Sequence, residues 1–172
     1  TSTDISPEEE LTKNAKSAIM IEASTGKILY EKNKDEKLPM ASMTKMMTLL
    51  LIMEEIDAGN LKWNEMITTS EHAASMGGSQ IFLEAGEKMS VEDLVKGICI
   101  ASGNDASVAM AERIGGTEEK FVTMMNKKAK EIGCKDSHFV NANGMHDENH
   151  YSTAYDLAQI CRYCMKNKTY RE

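Results

Sequence analysis

The chain has 172 residues and a formal net charge of −7; that length suits one compact domain or a large lobe of one. The acidic balance, with no basic stripe, argues against a nucleic-acid partner. Hydrophobic residues at 41% and charged residues at 27% exclude a disordered chain, and the longest apolar run, Met46 to Met53 with Thr48 inside it, is too short to cross a bilayer.

In chain order, residues 1–14 are polar and acidic and read as an N-terminal arm. Ser17 to Glu22 and Lys27 to Glu31 read as two strands of a β-hairpin, with Gly26 supplying the turn. Met40 to Ala58 is apolar on nearly all sides, the mark of a buried central helix, and Gly59 ends it. Asn60 to Lys88 carries little periodicity and reads as loop with short elements. Ser90, with Asp93 three residues on, caps a helix over Val91 to Ala101. A further helix runs from Asp105 to Ile114 and stops at Gly115-Gly116. The next spans Glu118 to Ile132, with acids in its first turn and Gly133 after its last. A final helix begins near Thr153, with Asp156 three residues later. The pattern is α+β: a hairpin followed by a largely helical lobe.

The 14 methionines read mostly as core filler, and the 4 cysteines lack the density of a disulfide scaffold. Cys161 and Cys164 fall three apart on one helical face, where they read as small hydrophobes rather than a redox or metal pair. No metal site is expected. His146-Asp147-Glu148-Asn149-His150 contains ligand-type residues, but it is not H-E-x-x-H and lies before a helix rather than in one. His72 and His138 read as ordinary surface or core residues.

Two short patterns carry chemistry. In Ser42-Met43-Thr44-Lys45, helical spacing turns Ser42 and Lys45 the same way. A serine needs a base to become a nucleophile, and a desolvated lysine can act as one. Ser42 also lies near a helix start, where free amides favour developing negative charge. Ser24-Thr25-Gly26-Lys27 matches the same pattern, but in an exposed hairpin turn, so context selects Ser42. Ser102-Gly103-Asn104 falls between two helices; its serine can relay a proton and its asparagine can hold an amide. Alone, that triplet is common in turns.

Together, S-x-x-K and Ser-x-Asn are two of the three motifs shared by penicillin-binding proteins and class A β-lactamases. Pro39 to Met46, Ser70-Glu71-His72-Ala73-Ala74, Gly77-Gly78-Ser79-Gln80, Ala101 to Ser107, Asn143-Gly144 and His150 to Ala158 all resemble the serine D-alanyl-D-alanine carboxypeptidases, from Lys13 onward. The resemblance implies the penicillin-binding protein / β-lactamase-like serine hydrolase fold, with residues 15–172 forming part of its catalytic domain. It makes Ser42 the nucleophile, Lys45 its base, Ser102 a proton shuttle and Asn104 a peptide-binding residue, with the Ser42 amide as half of the oxyanion hole. It implies an extracytoplasmic bacterial enzyme acting on peptidoglycan stem peptides, acylated by β-lactam antibiotics and needing no cofactor.

The third motif of the family, Lys-Thr-Gly or Lys-Ser-Gly, does not occur here. The resemblance places it on a later strand that completes the sheet, clamps the substrate carboxylate and gives the second oxyanion amide. The chain is therefore expected to be a partial catalytic domain, close to inactive alone, with the hairpin left with an unpaired edge and an uncovered face. Such an edge would suit a dimer or a complementing downstream segment, and any membrane attachment would lie in a C-terminal region beyond Glu172. A β-lactamase, a metal-dependent hydrolase and a catalytically silent binding module of the same fold are the alternatives.

Overall fold

The computed structural model describes residues 11–172. Of the arm expected over residues 1–14, residues 11–14 form turns and the rest falls outside the described residues. Strand β1 (Ala18–Ile21) pairs antiparallel with β2 (Ile28–Lys32). Gly26 closes the turn at φ +78°, a conformation that costs glycine nothing. The Glu22 carboxylate holds the same turn by accepting from the N–H and hydroxyl groups of Ser24 and Thr25. The second Ser-x-x-Lys copy is thus an exposed turn whose serine hydroxyl is already committed to Glu22.

The expected central helix exists, but it opens as a 3-10 turn over Ala41–Thr44 before α1 (Lys45–Asp57) begins. Helix α1 is buried on several sides because it separates two apolar clusters. Ile52 and Met53 pack into one, and Met47, Leu50 and Leu51 into the other. At its exposed start, Met43 departs from the all-round apolar pattern and stands in solvent. Gly59 follows the helix at φ +77°.

The stretch expected to be mostly loop holds a second small sheet. Strand β3 (Met66–Thr68) pairs antiparallel with β4 (Lys88–Ser90), and a short helix α2 (Glu71–Ala74) lies between them. Three-residue strands are too short for a period-2 pattern to show. Helix α3 (Val91–Ala101) starts at Ser90, whose Oγ accepts from the Asp93 N–H at 3.1 Å. Helices α4 (Asn104–Gly115) and α5 (Glu118–Ile132) follow, each ended by a left-handed glycine, Gly116 and Gly133. Helix α6 (Ala154–Cys164) is capped by Thr153, and a short α7 (Lys168–Arg171) was not foreseen.

Helix α4 packs against α1, α2, α3 and α5, while α6 packs against α1, α5 and β1. The hairpin face expected to be uncovered is therefore partly covered by α6. Arg162 ties the two together, donating from Nε to the Ala23 carbonyl at 2.7 Å and from Nη2 to the Ser24 carbonyl at 2.8 Å. Met20 and Leu29 remain exposed, and among the described residues neither hairpin strand has a third partner.

The core-filler reading of the methionines holds for Met40, Met47, Met53, Met110 and Met125, whereas Met20, Met66, Met145 and Met165 stand out in solvent. Cys164 is fully buried and Cys161, three residues back, is exposed, so the pair does not share a buried face. Among the described residues no helix is long and apolar enough to cross a membrane.

Candidate active site

Lys45 is the centre of the site. It is the first residue of α1 and only 4% exposed. Its Nζ lies 3.2 Å from Ser42 Oγ, 2.7 Å from Asn104 Oδ1 and 2.7 Å from the Asn143 carbonyl. Among the described residues no carboxylate forms an ion pair with it. Burial without a counter-charge disfavours the ammonium form and pushes Lys45 down to about 8.

The turn that carries Ser42 is shaped for exposure. Ala41 before it takes a left-handed φ of +47°, a strain of about 1–3 kcal/mol for a residue with a side chain. Ser42 itself is exposed, and its N–H donates to no described residue. Gly144 lies against this turn at φ +93°; a Cβ there would fall on the Ala41 carbonyl and crowd the Ser42 amide.

The junction of α3 and α4 supplies the opposite wall. Ser102 is the left-handed C-cap of α3 at φ +54°, half-buried, and its hydroxyl makes no hydrogen bond to Ser42, Lys45 or any other described residue. Asn104, the first residue of α4, is buried with both ends of its amide engaged. Oδ1 accepts from Lys45, and Nδ2 donates to the Gly77 carbonyl at 2.7 Å. The structure thus brings Ser42, Lys45 and Asn104 into one hydrogen-bonded group and places Ser102 two residues from Asn104, outside that group.

Three contributors lie in stretches that carry the family resemblance, but the sequence reading assigns them no role in the site. The first is Asn143, which acts through a backbone carbonyl, an atom every residue possesses. The second is Asp105, fully buried, whose carboxylate accepts from the N–H groups of Ile81, Leu83 and Ala106. It fixes the 77–83 segment around the exposed Phe82, itself held at φ +60°. A signal for it existed: an acid directly after Asn104 at a helix start. The third is His150, read as a ligand-type residue outside any metal pattern and as the start of the family-like stretch His150 to Ala158. Its two ring nitrogens are taken up by the Val140 N–H and the Thr44 hydroxyl. Among the described residues no three His, Cys, Asp or Glu side chains gather into a group able to hold a metal ion.

A family model described as D-alanyl-D-alanine carboxypeptidase matches residues 3–172. The chain is 60% identical over 157 residues to D-alanyl-D-alanine carboxypeptidase DacF of Bacillus subtilis, covering 91% of this chain and 40% of that protein. It is 37% identical to DacA of Escherichia coli, covering 86% and 38%. Among solved structures, the D-alanyl-D-alanine carboxypeptidase DacD of Francisella tularensis superposes with a TM-score of 0.88 at 43% identity, over 92% of this chain and 40% of that one. Penicillin binding protein 5 of Haemophilus influenzae gives 0.86 at 34% identity, over 90% and 46%. The chain therefore spans about 40% of the length of the curated relatives it matches. The expected α+β fold of penicillin-binding serine peptidases stands, with the helical lobe and the N-terminal hairpin in place. The chain belongs to the D-alanyl-D-alanine carboxypeptidase family.

Proposed function

We propose that this chain holds the acylating group of a serine carboxypeptidase that removes the terminal D-alanine from cell-wall pentapeptides, and that β-lactams acylate the same serine. One observation carries the reading: Lys45 Nζ is buried between two acceptors and a serine hydroxyl. A neutral amine has two N–H bonds and one lone pair. Asn104 Oδ1 and the Asn143 carbonyl, both at 2.7 Å, absorb the two N–H bonds. The lone pair then faces Ser42 Oγ, the remaining neighbour, at 3.2 Å.

The chemistry follows from that arrangement. Lys45 takes the Ser42 proton as Oγ attacks the carbonyl of the penultimate D-alanine. The oxyanion meets the unpaired Ser42 N–H. Collapse of the tetrahedral adduct breaks the peptide bond, and the leaving D-alanine nitrogen takes a proton passed through Ser102. Water then cleaves the Ser42 ester and regenerates the hydroxyl. In this reading Asn104 first orients Lys45, and it has one Nδ2 hydrogen left for a substrate carbonyl. Residues 15–172 belong to the catalytic domain, acting outside the cytoplasmic membrane of a bacterium. Membrane attachment or a second chain at the hairpin edge would each add contacts outside this group.

The test is the intact mass of the protein before and after incubation with a penicillin. A gain of one drug mass that disappears in Ser42→Ala supports the reading. Slow turnover of the adduct marks a carboxypeptidase, and rapid turnover a β-lactamase. Absence of any adduct in the chain extended to the length of its relatives would overturn it.

A further inference from the structure

The chemistry above leaves a buried imidazole beside the nucleophile turn without a role. His150 is 2% exposed. The Val140 N–H donates to its Nδ1 at 3.0 Å, so that nitrogen carries no proton. A neutral ring then bears its proton on Nε2, which lies 2.6 Å from Thr44 Oγ1 and donates to it. The Phe139 ring meets the imidazole edge-on, with centroids 5.8 Å apart. Thr44 is itself fully buried, and it stands two residues after Ser42 and one before Lys45.

The segment that ends at His150 reaches the same turn at other points. Its Asn143 carbonyl accepts from Lys45, and its Ala142 carbonyl accepts from Thr48 Oγ1 at 2.7 Å. Gly144 packs on the Ala41 carbonyl. The Lys45 geometry therefore depends on the register between residues 41–48 and residues 139–150. Of these contacts, the imidazole alone is a side chain from the 139–150 segment that meets a side chain of the turn.

We propose that His150 is a positioning residue: through Thr44 it pins the Ser42 turn to the 139–150 segment and so sets Lys45 between Ser42 and the Asn143 carbonyl. The proposal rests on the reading of Ser42 and Lys45 given above. It needs a neutral ring, because a second ring proton would face the Val140 N–H. Burial pushes His150 down to about 4, with His138 adding to the push and Asp147 opposing it. On the turn side it meets the Thr44 hydroxyl, and Lys45 is the nearest titratable residue in sequence.

The experiment compares wild type, His150→Gln, His150→Leu and Thr44→Val in the chain extended to the length of its relatives. Glutamine can accept from Val140 and donate to Thr44; leucine can do neither. Penicillin acylation of Ser42 should fall about tenfold to a hundredfold in His150→Leu and in Thr44→Val, as small misplacements near a reacting centre do. His150→Gln should recover most of that loss, and the double variant His150→Leu with Thr44→Val should be no slower than either single one. The Lys45 titration, followed by NMR on labelled lysine, should move up from its depressed value in both damaging variants and stay in His150→Gln. A folded His150→Leu or Thr44→Val protein with wild-type acylation and wild-type Lys45 titration overturns the proposal, as do effects that multiply in the double variant. If wild type forms no adduct, the function reading falls, and the Lys45 titration alone still decides the role of His150.

Discussion

A lysine makes a useful base only if it can be neutral near the pH at which it works, and here burial alone supplies that condition. Lys45 is pushed down to about 8, so below that pH the reactive fraction grows about tenfold per pH unit. Acylation of Ser42 by a penicillin should therefore rise steeply up to about pH 8 and level off above it. A flat profile between pH 6 and 8, measured by stopped-flow or by intact mass, would remove Lys45 as the base. His150 gives the complementary prediction for stability. Its folded value lies below the ordinary 6.5, so between about 6.5 and about 4 the unfolded chain binds the proton that the folded one refuses. Stability rises with pH wherever the unfolded state binds more protons. The contribution is thus complete above about 6.5 and is lost as pH falls towards about 4. Urea midpoints across that window should show the slope in wild type and lose it in His150→Gln. At this scale the sequence was legible where chemistry belongs to side-chain type. Ser42, Lys45 and Asn104 stood out. Asn143 did not, because its working atom is a backbone carbonyl, and His150 showed only its residue type, not its partners.

At the scale of elements, the loop 141–145 is as important as the helices. Gly144 N–H donates to Asn141 Oδ1 at 2.7 Å, and Met145 N–H to Asn143 Oδ1 at 2.9 Å. These bonds hold a loop whose centre has φ +93° and lies on the Ala41 carbonyl. Gly144→Ala should cost about 3 kcal/mol, from the left-handed backbone and the backbone collision together. Urea denaturation checks it, and a loss below about 1 kcal/mol would mean that the loop yields. Boundaries of α3 and α5 could be read from Ser90, Asp93 and Gly133, since caps are local chemistry. The 3-10 turn before α1 could not, because Ala41 to Thr44 has the residue types of an ordinary helix start. It is met instead by a distant segment, through Gly144 on the Ala41 carbonyl and His150 on Thr44. The pairing of β3 with β4 was invisible for a related reason: three residues hold no period, and partners 20 to 24 positions apart leave no local mark.

For the whole molecule, the two apolar clusters meet along α1 and α4, and both are assembled largely from helices of the described residues. The hairpin is different: Met20 and Leu29 stay exposed, and among the described residues its strands lack further partners. We expect the 172-residue chain to fold its helical lobe but to release D-alanine from a pentapeptide at least about a hundredfold more slowly than the same chain extended to the length of its relatives. In the proposed reading, the extension brings the later strand that the family resemblance implies, with a second oxyanion donor and a carboxylate clamp. Equal rates for the two forms would show that the group around Lys45 suffices.

The partners of the Lys45 amine lie 59 and 98 residues further along the chain. Contacts across such long loops must overcome the entropy of loop closure before they form. A chain still emerging from its ribosome thus carries an ordinary charged lysine beside an inert alcohol. In the proposed reading, the Ser42 hydroxyl gains its base only when Asn104 and Asn143 have docked on Lys45, so the serine stays inert until the fold around it has closed.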